Sequence, residues 1–186
     1  MPFVIGIEGN FNTTITNMVL KKYNAILIDT EALYRIVASL FLQKELNYSQ
    51  IEYLISVQSI NDIQQNLGLY YNFNKKSYNI IPEDIYSPKI KELSTFIATK
   101  TDNRWYYYFH FLVNQLLIDD ENVIMIGQNL LKMYHYFNAH IYLKAGIEKT
   151  DELMINEKTI VIDVSDKNSE DVFELIVDEI ENRIKV

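Results

Sequence analysis

The stretch Ile26-Leu27-Ile28-Asp29-Thr30-Glu31-Ala32-Leu33-Tyr34-Arg35 changes period in its middle. Three consecutive aliphatic residues end abruptly at an acid and a hydroxyl, and a helical period takes over from Glu31. A run this short and this apolar fits a strand buried on both faces, as in a parallel sheet covered by helices. The same alternation repeats outward in both directions. Short apolar runs place strands at 3–8, 25–28, 123–126, 140–144 and 159–164, and helical periods place helices at 13–22, 31–46, 88–100, 104–118 and 169–184. Strands alternating with longer helical stretches predict an α/β domain with crossover helices.

The last helix repeats Val172, Leu175, Ile176, Glu179, Ile180 and Arg183 at three- and four-residue spacings, with Ser169 as the expected N-cap before acidic Glu170 and Asp171. Residues 49–86 interrupt the alternation. Within them, 69–73 and 78–81 flank Asn74-Lys75-Lys76-Ser77, a loop suited to a β-hairpin. No linker rich in Gly, Pro or Ser sets this part off, so 1–186 is expected to be one domain carrying an insert subdomain at about 49–86.

The 186 residues suffice for one sizeable core, and a 48% hydrophobic, 23% charged composition is that of an ordinary globular protein. A net charge of −8, with no Lys/Arg cluster, argues against nucleic acid and acidic membrane surfaces as partners. The absence of cysteine excludes disulfides and thiolate metal sites. No basic leader with a long apolar run is visible at the start, and no apolar run reaches the roughly 18 residues of a membrane span. A cytoplasmic location is the expectation.

The segment from Ile26 to Arg35 resembles the signature of the cytidylate kinase family, a strand ending in Asp-Ser/Thr-Gly-Ala-x-Tyr-Arg, with Glu31 standing where the family has glycine. The order of other features is similar too. Val4-Ile5-Gly6-Ile7-Glu8-Gly9 resembles the family's first strand and Asp-Gly, and Glu83-Asp84-Ile85-Tyr86-Ser87-Pro88 resembles the approach to its monophosphate-binding helix. Ser94-Thr95-Phe96-Ile97-Ala98 and Arg104 resemble the Ser-x-Val-Ala and Val-Arg that follow. Ile126-Gly127-Gln128-Asn129 sits where the family has Asp-Gly-Arg-Asp, and Val161-Ile162-Asp163 resembles its last strand. The resemblance covers roughly residues 3 to 184. It implies a P-loop kinase-like, three-layer fold with a five-stranded parallel sheet, and transfer of a γ-phosphoryl from ATP to CMP or dCMP with Mg²⁺.

Phosphoryl transfer rests on positioning and charge neutralisation, and the groups that supply them are largely missing. A P-loop needs Gly-x-x-x-x-Gly-Lys-Ser/Thr; the equivalent stretch is Gly9-Asn10-Phe11-Asn12-Thr13-Thr14, three residues short. Phe11 falls at the second glycine, Asn12 at the lysine and Thr13 at the metal-ligating hydroxyl. The ordinary alternative is a strand-to-helix turn in which Asn12 or Thr13 caps the helix. Gln128 and Asn129 replace the family's Arg and Asp, and Ile126 replaces an acid that would help hold Mg²⁺ through water. Residues 145–158, at the place of the arginine-rich lid, contain no arginine; the chain's three are Arg35, Arg104 and Arg183.

What the resemblance leaves is the monophosphate side: Asp29, Thr30, Tyr34, Arg35, Thr95 and Arg104 hold positions that contact or shape the family's CMP pocket. The alternative is structural, with Asp29 and Arg35 as an ion pair and Tyr34 as a core aromatic. His110, His135 and His140 show no metal-binding spacing. The run Trp105, Tyr106, Tyr107, Tyr108, Phe109 and Phe111 surrounds a helix axis, so part of it faces either the insert, with Tyr70, Tyr71, Phe73 and Tyr78, or another molecule. The expectation is a degenerate cytidylate-kinase-like protein that works as a nucleotide-sensing or protein-interaction module. Its partners would be a pyrimidine nucleoside monophosphate, or a protein or second copy on the 105–111 helix, with no cofactor. The alternatives are an active CMP/dCMP kinase using ATP and Mg²⁺, and a scaffold that binds no nucleotide.

Overall fold

The computed structural model describes residues 1–57, 85–101, 103–146 and 157–184, with the side chains of Asn103 and Arg104 set aside. The expected hairpin, its aromatics and the middle of the shortened lid region lie outside the described residues. Five strands form one sheet: β1 (Val4–Gly9), β2 (Ile26–Asp29), β3 (Val123–Gly127), β4 (Ala139–Lys144) and β5 (Thr159–Asp163). Its order is β2-β3-β1-β4-β5 and every pairing is parallel. Among the described residues the helices are α1 (Thr13–Tyr23), α2 (Thr30–Gln43), α3 (Tyr48–Val57), α4 (Pro88–Lys100), α5 (Asn103–Ile118), α6 (Leu130–Met133) and α7 (Ser169–Arg183). No helix among them is long and apolar enough to cross a membrane.

The chain divides into two compact units, Met1–Asp29 with His110–Val186, and Thr30–Phe109. The first holds the sheet. Its interior is the aliphatic set predicted from the short runs: Ile5 and Ile7 on β1, Ile124 and Ile126 on β3, Ile141 and Leu143 on β4, and Ile160 and Ile162 on β5. Val172, Ile176 and Ile180 close it from α7, where they recur at four-residue steps. α7 packs on α1, β4 and β5. Its N-cap is Asn168, whose side chain accepts the Asp171 N–H, so the expected Ser169 cap is corrected by one residue. Ser169 instead accepts a hydrogen bond from the Asn12 amide at the start of α1.

The described residues of the second unit are mainly helical. α4 packs on α2 and α3, opens with Ser87 accepting the Ile90 N–H, and has proline in its first turn, where no hydrogen bond is lost. Leu33, Val37, Phe41, Ile51, Ile55, Leu93 and Ile97 are buried, as is Trp105. Helix α2 stops short of the predicted end because Glu45 takes a left-handed conformation, with φ 54°. The N–H of Leu46 then reaches back to the Phe41 carbonyl, and that of Glu45 to Leu42. Asp120 does the same after α5, and Asn24 ends α1 in the same region of φ and ψ.

Candidate functional site

Open parallel sheets bind ligands at the carboxyl ends of their strands, where neighbouring strands send their connections in opposite directions. β1 leads towards β2 on one side and β4 towards β5 on the other, which makes the β1/β4 crevice that point. Here the backbone closes it. Asn10 N–H donates to the Leu143 carbonyl at 2.7 Å, and Phe11 N–H turns back to the Gly9 carbonyl at 3.1 Å. Gly9 has φ +91°, and a Cβ there would lie 2.2 Å from the Leu143 oxygen. Only glycine combines that φ with that approach.

The turn enters α1 directly. Asn12 is the N-cap, its side-chain oxygen accepting the Ile15 N–H at 2.9 Å, which is the capping alternative seen in the sequence. Phe11 packs against the hydrophobic core of the sheet. Asn12 and Thr13 are exposed. The N–H groups of Asn10, Phe11 and Ile15 thus have acceptors within the chain.

Glu8, the nearest carboxylate in sequence to this turn, is committed as well. It is 1% exposed, and its oxygens accept the N–H groups of Asn129 at 2.8 Å and Leu130 at 2.9 Å. His140 Nε2 lies 2.9 Å from the same carboxylate, and its Nδ1 lies 3.0 Å from the Thr159 hydroxyl. Because the carboxylate accepts, Nε2 carries the hydrogen and Nδ1 is left to face Thr159. β1/β4 register pairs Gly6 with His140, and a Cβ on Gly6 would meet the His140 ring at 2.9 Å. The missing side chain makes room for the imidazole. Asn129 itself is left-handed, φ 56°, and gives its backbone N–H to Glu8, while Gln128 is exposed. Among the described residues no three His, Asp or Glu side chains converge on a point where a metal ion would sit. The residues at the turn do not fit an ATP–Mg²⁺ group: asparagine caps the helix where the resemblance expects a lysine, and the buried acid already accepts from two amides and faces His140.

The residues that the resemblance assigns to a monophosphate pocket divide between the units. Asp29 ends β2 in the first. Thr30, Tyr34 and Arg35 share α2 in the second; Thr30 is buried. Tyr34 is a core aromatic, stacked on Trp105 with centroids 5.8 Å apart and rings 6° from parallel, its hydroxyl 3.3 Å from that of Thr101. Burial pushes the Tyr34 phenol up to about 12, against the opposing effect of the Thr101 hydrogen bond. Arg35 donates through Nη2 to Glu31, four residues back, and its Cζ lies 5.0 Å from the centre of the Tyr86 ring. Thr95 is exposed and gives its hydroxyl to the Lys91 carbonyl of its own helix. Arg104 lies in the first turn of α5 and its side chain is outside the described residues.

On α5 the aromatics separate by face. Trp105, Tyr108 and Phe109 are buried, whereas Tyr107 is 72% and Phe111 58% exposed. The Glu8–His140 network had no signal in the sequence beyond an acid at the end of an apolar strand. No protein-family model matches the chain, and no curated protein is similar to it.

Proposed function

We propose that the chain is a catalytically silent domain of cytidylate-kinase-like type that acts by binding, as a nucleotide-sensing module. The observation that supports this most is the turn after β1, where the Asn10 and Phe11 N–H groups go to the Leu143 and Gly9 carbonyls and the Asn12 side chain caps the Ile15 N–H. A γ-phosphate would find no lysine there, and two of the turn's N–H groups already taken. On the monophosphate side an arginine remains, largely buried and fixed on α2, with a tyrosine over its face. That is a recognition element for a pyrimidine nucleoside monophosphate without the machinery to phosphorylate it. Thermal shift with CMP, dCMP, CDP and ATP added separately tests it, since a ligand that binds only the folded state raises the midpoint. A rise with CMP but not ATP is expected. A rise with both favours the active-kinase alternative, and none with any overturns the sensor.

The exposure of Tyr107 at 72% favours a second reading, in which this helix face pairs with another copy of the chain. Light scattering at rising concentration tests it; a mass that stays monomeric overturns it.

A further inference from the structure

The contact between Arg35 and Glu31 is uneven in a way that bears on how an anion would reach this arginine. The Arg35 side chain is 13% exposed and that of Glu31 55%, so the cation is set into the unit while the carboxylate stands at its surface. Tyr86, whose ring covers the guanidinium at 5.0 Å, is itself 71% exposed. An arginine presents Nε and Nη2 side by side, a fork suited to two parallel hydrogen bonds with one carboxylate or phosphate. Glu31 takes Nη2. Nε is buried and has no acceptor among the described residues. The fork is half filled, and a buried donor without an acceptor is destabilising until one arrives.

We propose, resting on the reading that this unit takes a small anionic ligand, that Glu31 is a built-in competitor for the Arg35 anion site. In the unliganded protein it holds the guanidinium; a phosphate monoester displaces it and fills both Nε and Nη2. The chemistry selects the ligand class. A free carboxylate carries the same charge as Glu31 but loses translational freedom on binding, which a tethered side chain does not. A phosphate monoester carries nearly two charges at neutral pH and three acceptor oxygens, enough to outcompete a single carboxylate. Leaving Arg35, Glu31 turns outward into solvent, where more than half of it already lies.

The test is titration calorimetry of the full chain with CMP, inorganic phosphate and cytidine, on wild type, Glu31→Gln and Arg35→Lys. Glu31→Gln keeps the size and removes the competing charge, so it should bind CMP on the order of fivefold more tightly than wild type. Arg35→Lys keeps the charge and loses the fork, so its CMP binding should fall below detection. Cytidine should give no heat with any of the three. In that outcome the phosphate arm identifies the source: equal affinity for CMP and inorganic phosphate points to free phosphate, and tighter CMP to a nucleotide. If Glu31→Gln and wild type bind CMP equally while Arg35→Lys does not bind, the competitor role is overturned and the anion site stands. If neither wild type nor Glu31→Gln binds CMP or phosphate at millimolar concentration, both ideas fall. Melting of the unliganded variants shows whether each is folded.

Discussion

His140 Nε2 lies 2.9 Å from Glu8 Oε1, with both side chains almost completely buried. The same carboxylate receives two backbone N–H groups from the turn after β3, so one side chain binds together three neighbouring strands. Glu8→Ala would leave the imidazole N–H, the buried Leu130 amide and the half-buried Asn129 amide without acceptors. It should cost about 3–5 kcal/mol, whereas His140→Ala, which leaves the carboxylate its two amides, should cost about 1–3 kcal/mol. Urea melts followed by far-UV circular dichroism measure both. A loss under about 1 kcal/mol for Glu8→Ala would show that the network is not what joins these strands.

With ATP, Mg²⁺ and CMP, the protein should turn over at least about a thousandfold more slowly than a competent kinase, because cationic and backbone groups that stabilise the transferring phosphoryl are worth that much singly. Asn12→Lys should not restore activity. It supplies the charge but removes the cap of α1, at about 1 kcal/mol of stability. Steady-state turnover near 1 s⁻¹ in wild type, roughly the lower end for kinases, would overturn the proposed silence.

The Tyr34 phenol, raised by burial to about 12, gives a base limb with a defined sign. Between pH 10 and 12 an unfolded chain releases this proton while the folded one keeps it. The folded state then binds more protons, and stability falls as pH rises. The contribution is complete below pH 10, and about 2–3 kcal/mol is lost by pH 12. Tyr34→Phe should flatten that part of the curve. Tyr23, also raised to about 12 by burial and then by Glu181 and Asp178, leaves a residual limb of the same sign. A wild-type and Tyr34→Phe pair with parallel curves from pH 9 to 12 would contradict the assignment.

Phe109 and Phe111 separate the two faces of α5. Phe109 is fully buried and Phe111 58% exposed. Phe109→Ala should cost about 3–5 kcal/mol, and Phe111→Ala should stay within about 0.5 kcal/mol. If the exposed face pairs copies of the chain, Tyr107→Ser with Phe111→Ser should lower the mass seen by light scattering and leave the melting midpoint in place.

The strands were legible because a run such as Val123-Ile124-Met125-Ile126 is short, apolar throughout and rich in β-branched residues, which suits a strand covered on both faces better than a longer buried helix. Helix ends were less so. A chain with five glycines stops its helices with Asn24, Glu45 and Asp120 in left-handed conformations, and a glutamate at such a place carries no stop signal. The capping role of Asn12 was readable as one of two local choices, whereas at α7 Ser169 was expected and Asn168, an equally good capping residue one position earlier, takes the cap. For the candidate site, the absence of a P-loop lysine and second glycine could be read residue by residue. The closing of the turn on Leu143 could not, since it depends on pairing between β1 and β4, which are far apart in the chain. The Glu31–Arg35 contact needs only helical spacing, a partner not considered when Asp29 was offered as one alternative for this arginine.

Gly9 carries a further consequence. Its φ and its approach to the Leu143 oxygen demand glycine for the sake of the backbone alone. A glycine after a first strand is often taken as the remnant of a phosphate loop, yet this one would be required had no nucleotide ever approached. Pattern searches that count it towards a nucleotide-binding signature are counting a hinge pin. Conversely, engineering a catalyst from this chain would have to begin by cutting the Asn10–Leu143 tie and lengthening the turn, before any charged residue is introduced.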